Sequence, residues 1–317
     1  MIVVVFAIVG FVVSLAVARM LIPELARIGM TGADENKAGG PRVPEMGGLA
    51  ILAGFGVAAL AAVFYSTFID GSADAVIILS VLAAVLIVGV VGVADDLFGL
   101  PQKTKALLPA LAAVPLIAMR VGFTSMNVPF FGMVDFGLVY VFVFVPLAVA
   151  ACSNLTNMVA GFNGLEAGLG AMALVVLGVL VQSPEAQAIA FSMAGALAGF
   201  CVLNAYPARV FPGDVGTLPI GTAIAAVVIL GNIEAAGVMV MALYMVDFVL
   251  KAVNGFPHTN QELRGGLLFP KGGRVVAVAQ VPMALLGGIG ERDLVRLLLC
   301  LQFVVCVGAV LVALFVF

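Results

Sequence analysis

Four short polar segments interrupt an otherwise apolar chain. The first is Asp95-Asp96-Leu97-Phe98-Gly99-Leu100, at the end of an apolar run. Adjacent carboxylates at a membrane surface repel one another and are tolerated when a divalent cation or basic groups neutralise them. Lys103 and Lys105 follow closely. A solvated helix end of mixed charge fits the same spacing. The second segment runs from Asn154 to Glu166 and holds Asn154, Asn157 and Asn163 with Gly161 and Gly164. Asparagine is poor in helices and costly in hydrocarbon, so a broken, polar-lined turn is expected in place of a continued span. A carboxamide can ligate a hard metal through oxygen, bind a base edge through both of its groups, or simply cap a helix. The third is Phe211-Pro212-Gly213-Asp214-Val215-Gly216-Thr217. Its aspartate is either a helix cap or a metal ligand held where backbone approaches phosphate. The fourth, Asp34 to Gly48, is charged and loop-like, and two glycines open the next apolar run.

The elements that must position these groups follow from composition. The chain has 317 residues, 64% hydrophobic and 10% charged, with a mean hydropathy of +1.27. Soluble domains are about half apolar and about a quarter charged. A soluble enzyme, a disordered chain, a disulfide scaffold and a nucleic-acid binder are excluded. What remains is an all-α polytopic membrane protein. Apolar runs place ten helices at about 1–22, 47–68, 74–94, 104–120, 136–152, 164–182, 187–203, 216–231, 235–254 and 294–317. Residues 1–317 then form one integral membrane domain, and the first run reads as a retained helix, not a signal peptide.

Ten passes put 13 of the 14 basic residues on one face and only Arg120 on the other. The opposite face carries Asp70, Asp74, Asp135, Glu185 and Glu234. The positive-inside rule makes the basic face cytoplasmic and both termini external. Even-numbered helices then start at the cytoplasm. Gly47-Gly48, Thr104-Lys105, Gly164 and Gly216-Thr217 stand at such N-termini, each offering unpaired N–H groups and a partial positive charge. Positive helix ends, carboxylates for Mg²⁺ and scattered Lys and Arg on one face together describe a site for a pyrophosphate.

Asp247 and Lys251 lie four residues apart in an apolar run. They form either a structural ion pair or part of a substrate cavity rim. Cys152, Cys201, Cys300 and Cys306 read as small apolar residues. In the last loop, 255–293, Leu267–Phe269 and Arg274–Gln280 flank Pro270-Lys271-Gly272-Gly273; a small hairpin or an interfacial helix fits there.

In this order the motifs resemble the polyprenyl-phosphate N-acetylhexosamine-1-phosphate transferase superfamily, ten-helix enzymes that move a sugar-1-phosphate from a UDP-sugar to a lipid phosphate and release UMP. The likeness covers nearly the whole chain from Asn36 onward. It is greatest to the eukaryotic and archaeal UDP-GlcNAc:dolichyl-phosphate GlcNAc-1-phosphate transferases. Asn36-Lys37, Pro44-Glu45, the Asn157–Gly168 stretch and Val210-Phe211-x-Gly213-Asp214 carry it. Transfer of phospho-MurNAc-pentapeptide or of another UDP-HexNAc group to lipid is the alternative within the superfamily; the bacterial branch that does the former has Asp-Gly where this chain has Ala160-Gly161, and a histidine cluster in the last loop where this chain has only His258.

The resemblance implies Asn157 and Asp214 as ligands of Mg²⁺, with Mn²⁺ the alternative ion. It implies Asp95 and Asp96 beside the reacting phosphates and Lys105 on the pyrophosphate. Lys37, Glu45, Asn163, Gly164 and Glu166 are expected at the substrate, with Asn163 near the uracil and Glu45 on the nucleotide side. His258 and Arg264 are expected against sugar or pyrophosphate. The implied partners are a UDP-sugar, a polyprenyl or dolichyl phosphate, the bilayer and a second copy of the chain, with no nucleic acid. The implied place is the plasma membrane (the ER membrane in a eukaryote), with the site facing the cytoplasm. The expected reaction is single displacement at the β-phosphorus, the first step of lipid-linked glycan assembly. A secondary transporter is the reading from another class; it calls for inverted repeats and midplane charges, and no repeat is visible. An intramembrane prenyltransferase calls for two separated Asp-rich clusters, which are absent from the sequence.

Overall fold

In a computed structural model of the chain, residues 2–128, 131–257 and 261–316 are described. His258 lies outside them. Helices dominate, as apolar runs of about 20 residues require when backbone groups must be satisfied without water. The long helices are α1 (Ile2–Arg27), α2 (Gly48–Tyr65, continued by a π-turn to Asp70) and α3 (Ala75–Phe98). After them come α4 (Gln102–Leu107), a 3₁₀ segment Leu108–Ala113 and α5 (Val114–Ala118). Further on are α6 (Val145–Met158), α7 (Leu165–Leu180), α8 (Pro184–Asn204) and α9 (Asp214–Gly231). The bent pair α10 (Glu234–Val240) and α11 (Ala242–Val253) precedes α12 (Gln280–Leu285) and α13 (Glu291–Val316). Among the described residues there are also three two-stranded antiparallel hairpins: β1 (Thr31–Ala33) with β2 (Arg42–Pro44), β3 (Ser125–Val128) with β4 (Gly132–Asp135), and β5 (Gln261–Arg264) with β6 (Leu267–Pro270).

The chain is an all-α polytopic membrane protein. Among the described residues, seven helices are long and apolar enough to span a bilayer, eight if the 61° bent α10–α11 pair is one span. The ten-helix count is not reached by length and apolarity. The expected helix at 104–120 is broken into three short pieces. Pro109 and Pro115 each open a new piece, because proline lacks the N–H that would continue the ladder. The 164–182 run is a shorter apolar helix of 16 residues.

Two further expectations need correction. Helix α6 does not break at Asn154; it continues through Asn157 to Met158. Asn154 Nδ2 donates to Ala150 O (2.8 Å) and Ala106 O (3.0 Å), and Thr156 Oγ1 donates to Cys152 O, so the polar side chains are satisfied within the helix and its neighbour. The polar turn begins only at Val159. The last-loop hairpin exists, but one segment earlier than expected. Gly265 and Gly266 form its two-residue turn with φ of 57° and 83°, the left-handed geometry that tight hairpins demand. Pro270 instead ends a strand, and the 280–285 segment is helical.

Helix α9 is the buried axis of the bundle, and small residues let its neighbours approach. A Cβ on Gly221 would lie 2.2 Å from Cys152 O, so α6 and α9 touch backbone to backbone. A Cβ on Gly92 would lie 2.5 Å from Val215 Cα, bringing α3 equally close. A Cβ on Gly48 would lie 2.2 Å from Gly216 Cα, seating the start of α2 against the start of α9. Small residues at helix crossings are how membrane bundles gain close packing. Across the α6–α9 contact, Ser153 and Thr222 hydroxyls meet at 2.9 Å and Thr156 Oγ1 donates to Thr217 O at 2.9 Å. The result is one end of the bundle where the ends of α3 and α6 meet the starts of α2, α7, α9 and α13. At the far end, Asp74 N donates to Glu185 Oε1 (2.7 Å) and Tyr140 Oη to Glu234 Oε1 (2.5 Å).

Candidate active site

A cavity of about 1200 Å³ opens among these helix ends. Its wall includes Glu45, Lys105, Asn157, Gly161, Asn163, Glu166, Asp214, Asp247 and Lys251. Two polar networks furnish it.

The first centres on the Lys105 ammonium. It is bonded to Asp214 Oδ2 and lies 2.5 Å from Asp95 Oδ2. The Asn157 carboxamide, turned with its nitrogen toward Asp214, donates to Asp214 Oδ1 (3.0 Å) and Thr217 Oγ1 (2.8 Å), while its oxygen accepts from Lys105 Nζ at 3.2 Å. Residues from α3, α4, α6 and α9 therefore converge on one cation-sized point. The surrounding donors are hard oxygens, two carboxylates and a carboxamide, a set that suits Mg²⁺ as well as an ammonium. Among the described residues no three His, Cys, Asp or Glu side chains group as a metal site by themselves.

Asp96 does a different job. Its carboxylate accepts the Asp214 N–H (2.8 Å) and the Val215 N–H (3.0 Å), capping α9 from the neighbouring helix. Gly213 makes this possible. It holds φ 65°, and a Cβ there would lie 2.6 Å from Asp96 Oδ2. Glu45 follows β2 and lines the cavity; a Cβ on Gly32 would collide with its carboxylate. Burial raises the Glu45 pKa above its ordinary 4.5, and the nearby Asp96 charge adds to the rise against the opposing pull of Arg42.

The second network ties the loop before β2 to the start of α13. Asn163 Nδ2 donates to Glu291 Oε1 (2.6 Å) and Asp34 Oδ2 (3.2 Å); its Oδ1 accepts from Lys37 Nζ (3.0 Å) and Ala208 N (2.6 Å). A carboxamide has two donors and two lone pairs, so this one is fully committed to the protein. The Lys37 ammonium is bonded to Asp34 and lies 4.7 Å from the Tyr206 ring centroid. Asn36 Nδ2 donates to Gly161 O at 2.7 Å, and its Oδ1 accepts from Gln261 Nε2 at 3.1 Å. Glu166 Oε1 accepts the Gly161 N–H at 2.7 Å, while its buried Oε2 has no hydrogen-bond partner among the described residues. Gly164, at φ 83°, precedes α7 and lies close against Ala205.

The structure thus gathers Asp95, Lys105, Asn157 and Asp214 at one point, and Lys37 and Asn163 at another. It sets Asp96 behind α9 as a cap. It does not bring Arg264 to the cavity. That side chain sits exposed on the hairpin, paired with Glu262 at 2.5 Å and lying over the Phe269 ring, because strand alternation turns it outward. Sequence reasoning missed Glu291, the hub of the second network, and Asp34. Glu291 stands in the first turn of α13 beside Arg292 and Asp293, where an acidic residue is expected for the helix dipole alone. Nothing in its spacing marks it out.

The sequence profile of glycosyl transferase family 4 matches residues 78–232, a range that holds Asp95, Lys105, Asn157 and Asp214. The putative UDP-N-acetylglucosamine–dolichyl-phosphate N-acetylglucosaminephosphotransferase of Sulfolobus acidocaldarius is 37% identical over 254 residues, 78% of this chain and 77% of the relative. The protein of the same description in Saccharolobus solfataricus is 36% identical over 253 residues, covering 78% and 77%. The phospho-N-acetylmuramoyl-pentapeptide-transferase of Shouchella clausii is 33% identical over 222 residues, covering 64% and 66%. On the profile and these relatives together, the chain belongs to glycosyl transferase family 4.

Proposed function

We propose that the chain transfers N-acetylglucosamine-1-phosphate from UDP-GlcNAc to a dolichyl or other polyprenyl phosphate, giving a lipid-diphospho-sugar and UMP. The observation that carries this is the convergence of Asp95, Asn157 and Asp214 on the Lys105 ammonium in a cavity whose remaining wall is largely apolar. The archaeal relatives named for this reaction match more of the chain than the pentapeptide transferase of Shouchella clausii does. Family membership also favours transfer over the transporter reading.

The chemistry needs little activation. A phosphate monoester has a second pKa of about 6 and is largely ionised at neutral pH. Its oxygen attacks the β-phosphorus, and the bond from that phosphorus to the bridging oxygen breaks to release UMP. The protein's task is to bring two anions together. Lys105 turns from its carboxylates to the pyrophosphate and neutralises it. Asp95 orients that lysine; its other oxygen accepts the Leu100 N–H at 2.8 Å, which leaves it poorly placed as a base. Asn157 and Asp214 would hold Mg²⁺, or Mn²⁺ in its place. When bound, the ion supplies positive charge beside the pyrophosphate oxygens. The site faces the cytoplasm, where UDP-sugars are available, and the acceptor arrives from the bilayer of the plasma membrane.

The test is UMP release from UDP-GlcNAc by the purified chain with dolichyl phosphate and Mg²⁺. UMP that needs both the lipid phosphate and the metal, and is lost in Asp214→Asn, supports the reading. A wild-type chain that releases no UMP with any polyprenyl phosphate overturns it. Turnover unaffected by chelation overturns the metal assignment.

A further inference from the structure

We propose that Lys251 receives the phosphate of the acceptor lipid. The proposal rests on the transfer reaction above, which requires two anions in one cavity. Lys105 provides the cation for the donor pyrophosphate. Lys251, on α11, lies in the same cavity wall, which also holds Lys103 beside Lys105 on α4.

The Lys251 ammonium is fixed on two sides. It donates to the carbonyl of Met158, the last residue of α6, and lies 2.8 Å from Asp247 Oδ2. Asp247 is 3% exposed and is held in turn by the Val278 N–H at 2.8 Å. An ammonium has three N–H donors, so two anchors leave one for a ligand. Met158 directly follows Asn157. The anchored ammonium is therefore bound one residue along α6 from the carboxamide that meets Lys105 and Asp214.

Around Asp247 and Lys251, α11 and the segment after it also bring Leu243, Met245, Phe248 and Phe256 to the cavity wall. On the same helix, Val246, Val249 and Val253 are exposed, a surface suited to hydrocarbon. A purely structural i, i+4 pair would need no place in a cavity wall. An ammonium in the cavity wall, on a bent helix whose exposed residues are apolar, matches a phosphate monoester carried on a long apolar chain. Asp247 acts as a positioning residue: it keeps the lysine aimed.

The experiment uses the full chain in detergent, with UDP-GlcNAc as donor and undecaprenyl phosphate or dolichyl phosphate as acceptor. Lys251→Met is expected to raise KM for the lipid phosphate about tenfold or more, and to leave KM for UDP-GlcNAc within about twofold. Lys251→Arg is expected to restore most of the lipid KM. Undecaprenyl phosphate should raise the thermal midpoint of the wild type more than undecaprenol or inorganic phosphate does, and this difference should vanish in Lys251→Met. Lipid KM unchanged in Lys251→Met overturns the proposal, as does a rise in KM for UDP-GlcNAc instead. Equal stabilisation by inorganic phosphate at the same concentration overturns the lipid assignment. A wild type that turns over while Lys251→Met shows no lipid defect removes this inference alone; a wild type with no UMP release removes the transfer reading beneath it.

Discussion

Asp96 caps the helix that begins at Asp214. One carboxylate oxygen takes the Asp214 N–H and the other takes the Val215 N–H. The adjacent Asp95 reaches Lys105 at 2.5 Å instead. Successive residues on a helix point about 100° apart, so neighbours of identical chemistry acquire different work.

Substitutions separate the two. Asp96→Ala should lower stability by about 1–2 kcal/mol, the usual cost of a lost helix cap, and activity should fall with it as Asp214 loses its place. Asp95→Asn should leave the thermal midpoint nearly unchanged while turnover falls by about 10²-fold, as when one preorganised electrostatic group is removed. Thermal unfolding in detergent and UMP release, measured on both variants, check this. Equal stability losses would contradict the division.

Gly221 predicts a remote effect on the site. An added methyl would lie 2.2 Å from Cys152 O and 2.3 Å from Cys152 C, and backbone cannot yield as a side chain does. Gly221→Ala should part α6 from α9, at a cost of about 1–3 kcal/mol from overpacking. Asn157 and Asp214 ride on those two helices, so Mn²⁺ binding should weaken as well. Electron paramagnetic resonance titration of Mn²⁺ reads that loss directly.

Glu291 should matter more than its position at a helix start suggests. Its Oε1 accepts from both the backbone and the side chain of Asn163, and Oε2 lies 3.7 Å from Lys37. Glu291→Ala should cost about 3–5 kcal/mol, because it strands buried donors and the lysine charge. Glu291→Gln keeps an acceptor for Asn163 and should recover most of that stability. Asn163→Asp places a carboxylate between Asp34 and Glu291 and should be worse than Asn163→Ala. Thermal midpoints of the four variants rank these expectations.

Glu45 sets a pH dependence. Its pKa is raised in the folded chain, first by burial and then by Asp96. The folded state therefore binds more protons than the unfolded one above the ordinary value of 4.5. Stability falls as pH rises from there toward the elevated folded pKa. Glu45→Gln should flatten this part of the curve and should be the more stable protein at neutral pH. Thermal midpoints of both proteins across pH 4 to 8, about the range over which a shifted carboxylate titrates, check the sign.

The sequence by itself determined the membrane class and the chemical cast. Apolar runs with almost no charge have one solvent that suits them, and Asp95, Lys105, Asn157 and Asp214 stood out because such residues are costly there. It also marked Gly213 and Gly164, where the backbone takes a left-handed turn. Only the tertiary structure decided which groups remain open to a ligand. Asp96 and Asn163 carry the right chemistry, yet both oxygens of Asp96 are turned to the start of α9, and Asn163 is fully engaged by Glu291, Asp34, Lys37 and Ala208. Arg264 carries the right charge on the outward side of a strand. Glu291 had no local mark because its partners are more than 120 residues away in the chain. Residue type fixes what a group can do, whereas long-range packing fixes whether its donors and acceptors are already engaged.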